Sequence, residues 1–353
     1  MQLRVNVAVV FFSWFLSADM YASQPDLSGY YDVATLTPLQ RPKEFGNKLL
    51  LTPEQASEIT EAQRIRVEER QKNRGPVTEA PPVGGAPPIG LGEEALEQTG
   101  AGSVGGYNQA FIDQGDAVFM IDGKFRTSIV TVPKNGQLPA MTPAALKVVG
   151  ERRKLYRKNT GRAWWLELDG AGPYDGPESL GDSERCLNGF GSTSGPPMLP
   201  VLYNNFKRIV QTEDHVMILV EMVHDARIVR LNSTHVADRI RQRFGDSIGW
   251  WEGDTLVVDT TNFTDSPGLF LATRNLHVVE KFTRINDTDL LYSFTVDDPT
   301  VWQEPWQGEY VWPSSTDVIF EYACHEGNYS MSGILKGARL LENEAQSAST
   351  GAD

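Results

Sequence analysis

The sequence predicts a mainly β protein: an antiparallel, barrel-like domain of lipocalin type with a helical N-terminal extension. Three observations carry this. Beyond residue 204, short apolar runs are separated by polar turns, with no helical periodicity between them. Residues 290–297 alternate, with Leu290, Tyr292, Phe294 and Val296 on one strand face and Ser293, Thr295 and Asp297 on the other. Tight-turn signals, Asp122-Gly123 and Glu252-Gly253-Asp254, punctuate the runs. A meander this long must stack into a sandwich or close into a barrel to hide its edges, and the barrel is the preferred form.

The N-terminus reads as a secretory signal over 1–22. Arg4 supplies the positive start, residues 5–18 are mostly apolar, and Ala18, Ala22 and Ser23 offer cleavage points. The rival reading is an uncleaved anchor. Residues 23–74 form an extended arm and a surface helix. Thr52-Pro53-Glu54 starts that helix with a capping hydroxyl, a proline at the first helical position and an early acid. Residues 75–106, dominated by Gly, Pro, Ala and Glu, are a linker with nothing to bury.

The β-rich domain spans 107–342, and 343–353 is a flexible tail. Within the domain, 117–121 and 126–132 make a hairpin, and 142–158 a second helix whose basic end suits the helix dipole. Further strands are expected at 207–211, 215–222, 227–231, around the turn in 249–263, at 276–284 and 290–296, and at 318–322.

Composition narrows the function. About 40% of the 353 residues are hydrophobic, enough for a sizeable core. The net charge of −14 argues against nucleic acid and against anionic membrane surfaces. No later segment is apolar for long enough to span a bilayer, so the mature chain is expected to be secreted or periplasmic. In an exported chain the two cysteines, Cys186 and Cys324, form one disulfide, the alternative being two separate buried thiols. Closing so long a loop stabilises by about 4–5 kcal/mol in the chain-entropy model.

Several motifs are long and specific: EMVHDARIVRL, GDSIGWWEGDTLVVDTTNF, LHVVEKFTR, FTVDDPTVW and YACHEGNY, with LSGYYD, RTSIVTVPKNGQLPAMTP and PPMLPVLYNN upstream. Together they resemble a widespread group of exported bacterial proteins of uncharacterised activity, over most of the mature chain. The resemblance implies export and a shared β architecture. It supplies no catalytic residues.

The chemistry-bearing candidates come from the residues themselves. If 318–322 continues as a strand, Glu321 and His325 share one face while Tyr322 and Cys324 share the other. Glu321 or Glu326 then orients His325 as a proton-transfer group, set against a structural histidine closing a strand end. His224 or His277 supplies a second acid, and Arg227 stabilises developing negative charge. A surface turn is the bland alternative for 224–227. His215 and His235 show no acidic constellation in the sequence.

Trp250, Trp251, Trp302, Tyr322 and Asn328 are candidate ligand contacts, with plain core filling as the alternative for the aromatics. No HExxH, CxxC or HxH pattern occurs, so neither a metal nor a cofactor is assigned. The expected function is an exported enzyme acting on a small, largely apolar molecule by cofactor-free acid/base chemistry, of isomerase, cyclase or lyase type. The alternatives are a non-catalytic small-molecule-binding barrel and a metal-dependent hydrolase.

Overall fold

The computed structural model describes residues 24–72, 113–155, 157, 160–189 and 191–350. The expected signal segment and the 75–106 linker lie outside the described residues. The strands are β1 (Gly29–Asp32), β2 (Met120–Ile121), β3 (Lys124–Phe125), β4 (Val130–Val132), β5 (Phe206–Gln211), β6 (His215–Val220), β7 (Ala226–Leu231), β8 (Asp246–Glu252), β9 (Thr255–Thr261), β10 (His277–Arg284), β11 (Leu290–Asp297) and β12 (Trp306–Trp312). The helices are α1 (Pro53–Lys72), α2 (Pro143–Lys154), α3 (Cys324–Gly327) and α4 (Tyr329–Thr350).

Ten strands form one curled sheet, a half-barrel, in the order β1-β5-β6-β7-β8-β9-β10-β11-β12-β4. The turns explain much of the register. At the β2–β3 hairpin Asp122 (φ 52°) and Gly123 (φ 70°) are both left-handed, as a two-residue turn of the I′ kind requires. At the β8–β9 hairpin Gly253 alone takes positive φ, at 61°. The curl brings the first strand round to the chain leaving β12: Asp32 N–H donates to Pro313 O (3.1 Å) and Ser315 N–H to Tyr30 O (2.8 Å).

Alternation then sorts the side chains. On β11 Leu290, Tyr292, Phe294 and Val296 are buried and the residues between them are half-buried. Cross-strand partners put Phe282, Tyr310 and Trp312 on the same inner face. Their rings pack against Tyr292, with centroids 5.0 Å away for Phe282, 5.5 Å for Tyr310 and 4.8 Å for Trp312. Gly308 is small because a Cβ there would sit 2.4 Å from the Phe294 ring.

Residues 191–199 fold into this inner face. Ser192, Thr193, Ser194 and Met198 are buried. Met198 N–H donates to Tyr292 Oη (3.0 Å), and Tyr310 Oη–H donates to Met198 O (2.6 Å). Beneath Met198 lies an ion pair. Arg227 on β7 donates bidentately to Glu280 on β10, at 2.5 and 2.8 Å, and Tyr292 Oη–H donates to Glu280 Oε1 at 2.8 Å. Both charged side chains are fully enclosed, 4% and 0% exposed.

The structure departs from the sequence expectations in four places. Residues 318–322 form no strand; Val318 and Phe320 are exposed, and the chain runs as coil into α3. Strand β12 follows β11 in the sheet instead, and β4 forms the edge beyond it. Neighbours β7 and β8 are parallel, so the sheet is not a pure antiparallel meander. Residues 343–350, expected as tail, continue α4. Cys186 and Cys324 are joined in a disulfide with Cα atoms 5.8 Å apart. No helix among the described residues is long and apolar enough to cross a membrane.

Removing one member of a buried pair leaves the other charge uncompensated, which costs about 3–5 kcal/mol, whereas replacing both by apolar groups is often close to neutral. Glu280→Ala should therefore destabilise the fold by about that amount in urea unfolding. The double variant Arg227→Met with Glu280→Leu should recover most of the loss.

Candidate functional site

A second polar network lies on the opposite, outer face of the sheet. Ile248 on β8 is the cross-strand partner of both Arg230 on β7 and Asp259 on β9, and Asp259 is opposite Val279 on β10. These residues therefore share one face. Asp246, two residues before Ile248, and His277, two before Val279, share it as well. His277 is opposite Asp297 on β11. The register thus lays a band of ionisable groups across five strands.

The connection 232–245 completes the band. Parallel neighbours cannot be joined by a tight turn and need a crossover. This one folds back over the outer face and sets His235 between two carboxylates. His235 Nδ1 lies 2.9 Å from Asp246 Oδ2, and Nε2 lies 3.0 Å from Asp259 Oδ1. Each ring nitrogen therefore faces a carboxylate oxygen, a hydrogen-bond acceptor when ionised. The loop is fastened on each side: Val236 N–H donates to Asp246 Oδ2 (3.0 Å), and Asn262 donates to Val236 O (3.0 Å). Arg230 donates to both oxygens of Asp246 at 2.8 Å.

Asp259 is the branch point. Its other oxygen lies 3.0 Å from Nε2 of His277, whose side chain is 43% exposed. The chain Arg230–Asp246–His235–Asp259–His277 therefore runs from a half-buried end to a solvent-facing imidazole. Burial pushes the Asp259 carboxyl up, but hydrogen bonds from His277 and His235 outweigh it and hold the group below the usual carboxylate range. Asp246 behaves alike: burial raises it, and His235, the Val236 N–H and Arg230 bring it down. The Asp259 hydrogen bond raises His277 above the ordinary histidine value; burial opposes this, and the Asp259 and Asp297 charges reinforce it.

The sequence-derived candidates are scattered by comparison. Arg227 faces inward but is spent on Glu280. His224 is exposed in a short turn with positive φ. Glu321, His325 and Glu326 are all exposed, and His325 and Glu326 sit on α3, so the shared strand face expected for Glu321 and His325 does not exist. No hydrogen bond or ion pair among the described residues joins His224, His277 and His325 side chains. Nor is any group of three or more His, Cys, Asp or Glu among the described residues arranged to hold a metal ion.

Trp302 and Tyr322 belong to the core, Trp251 packs partly against it, and Trp250 lies on the outer face with its indole N–H on Glu252 (3.1 Å). Asn328 accepts the Met331 N–H at the start of α4 (3.3 Å) and donates to Glu184 O (2.8 Å). His235 is the residue that sequence reasoning misses. Its partners Asp246 and Asp259 are remote in sequence, and only the crossover brings them to it. No protein-family model matches the chain, and no curated protein matches it.

The network carries its own pH signature. His277 titrates higher when folded, so its contribution is complete below the reference value of 6.5 and disappears as pH rises through the elevated folded value. Asp259 and Asp246 titrate lower when folded, so theirs is complete above 3.8 and disappears as pH falls through the depressed values. The network should stabilise most between those two reference values. His277 is exposed enough for solvent to screen it, so its share is about 0.5–1 kcal/mol. Denaturant unfolding as a function of pH should show wild type more stable than His277→Gln by about 0.5–1 kcal/mol below pH 6.5, with the difference between the two proteins shrinking toward zero as pH rises further.

Proposed function

We propose that the protein is an exported enzyme that moves protons on a small molecule, with His277 as the general acid/base and Asp259 as its orienting carboxylate. The observation that carries this is the Asp259–His277 hydrogen bond at 3.0 Å, which holds Nε2 and leaves a partly exposed ring for a substrate. His235, braced by Asp246, fixes Asp259 from the other side. The chemistry is of the isomerase, cyclase or lyase kind and needs only proton transfer. Export is supported by the sequence of the first 22 residues and by a disulfide suited to an oxidising compartment.

A lipocalin-like binding barrel without catalysis is the second reading. It is favoured by two indole N–H groups, of Trp251 and Trp306, that are buried without hydrogen-bond partners among the described residues. These are the donors an interior polar ligand would satisfy.

The two readings part in D2O. Wild type should speed solvent-deuterium incorporation into at least one member of a panel of small β-hydroxy and α,β-unsaturated carbonyl compounds, followed by NMR. His277→Gln should lower that rate by about 10²-fold or more, the usual scale of a positioned acid/base group. Equal exchange in the two proteins contradicts the acid/base role, as does exchange at the buffer rate across the whole panel.

A further inference from the structure

Lys207 lies at one end of the inner face, away from the His277 network. On β5 it is opposite Tyr31 of β1 on one side and Val220 of β6 on the other, and all three point inward. Its side chain is completely buried, and Nζ has no hydrogen-bond partner among the described residues. An ammonium in that state has lost its water and gained no bonds in exchange, a costly arrangement.

The groups around it are acidic. Glu221 and Asp32 are the charges that act on Lys207. Glu221 is 3% exposed and accepts a hydrogen bond from the Phe320 N–H (3.2 Å) and another from the Asn204 side chain. The Asn204 Oδ1 atom is itself buried without a partner among the described residues. Asp32 accepts from the Ala34 N–H (3.0 Å) and is hydrogen-bonded to the Asp113 carboxyl, with Asp116 nearby.

We propose that Lys207 is a nucleophilic amine that condenses with a small neutral aldehyde or ketone admitted beneath the coil carrying Phe320. The lone pair of Nζ adds to the carbonyl carbon and one of the amine's own protons passes to the carbonyl oxygen, giving a neutral carbinolamine. A second proton, from the Asp32–Asp113 pair or Glu221, reaches the carbinolamine hydroxyl. Water leaves as the C=N bond forms, and the nitrogen returns its proton to the carboxylate. Amine and carbonyl thus become imine and water, with no oxidant or reductant.

Four features fit this chemistry. Among the described residues no hydrogen bond competes for the amine, which leaves its lone pair available once deprotonated. Burial pushes Lys207 down to about 7, only partly opposed by Glu221 and Asp32. Burial, with Asp113 and Asp116 adding to it, pushes Asp32 up to about 6, so a proton donor stands beside the nucleophile near neutrality. The acidic surroundings disfavour anionic carbonyl compounds and select neutral ones.

The test is reductive trapping on the full chain. Folded protein at pH 7 is incubated with glycolaldehyde or acetone and sodium cyanoborohydride, digested, and mapped by mass spectrometry. Lys207 should acquire the reduced adduct at least about tenfold faster than the exposed Lys124, Lys281 and Lys336. An adduct confined to exposed lysines, or appearing on Lys207 only in denaturant, overturns the proposal. A second variant guards against a purely structural lysine. Lys207→Met should keep or raise Tm, whereas a fall of more than about 5 °C would mark the side chain as a strut and overturn the proposal too.

Discussion

The ion pair between Arg227 and Glu280 is the contact on which the rest of the molecule depends. Two opposite charges are tolerated in an aromatic interior when their mutual geometry is good and other groups add hydrogen bonds to them. Here the guanidinium meets both carboxylate oxygens and Tyr292 supplies Glu280 with a further donor, while Arg227 Nε is buried without a partner among the described residues. Tyr292 in turn receives the Met198 N–H, so the pair ties β7, β10 and β11 to the segment that fills the half-barrel. A sheet held in this way has its centre occupied by protein. Chemistry is left the outer face and the ends, which is where the His277 network and Lys207 lie.

The outer network follows from one topological irregularity. Were β7 and β8 antiparallel, a short hairpin would join them and no loop would cross the face above Asp246 and Asp259. Parallel pairing forces the long return through 232–245, and the return delivers His235. Each charge in the band then has a neighbour of opposite character, from Arg230 through to His277. The carboxylates are held ionised, and the imidazole at the exposed end is held more basic than a free histidine.

Much of the fold is legible in the amino-acid sequence because it rests on local chemistry. The alternation from Leu290 to Val296, the dipeptides Asp122-Gly123 and Gly253-Asp254, the Thr142-Pro143 helix start and the cysteine pair are all plain in the chain itself. Thr142 Oγ1 does accept the Ala145 N–H, at 3.1 Å. Strand β12 is harder to read, because Gly308 interrupts its run of aromatics; the spacing of Trp306, Tyr310 and Trp312 at even intervals is the available signal. Residues 318–322 have β-prone composition, but a strand also needs a free neighbouring edge, and β1 already bonds the chain at 313–315. Site residues are less legible than strands. His325 draws attention because Glu321 and Glu326 are near it in sequence, yet all three are solvated. His235 looks isolated because its partners arrive through the crossover. Lys207 gives no signal at all, since burial of a lysine is decided by what packs around it.

The central claim is that Asp259 grips His277 through Nε2 and makes its ring a stronger base. Imidazole nitrogen NMR across a pH titration tests it most directly. The neutral form should be protonated on Nε2, the midpoint should lie above 6.5, and it should return toward 6.5 in Asp259→Asn. A neutral form protonated on Nδ1, or a midpoint at or below 6.5 in wild type, would contradict it.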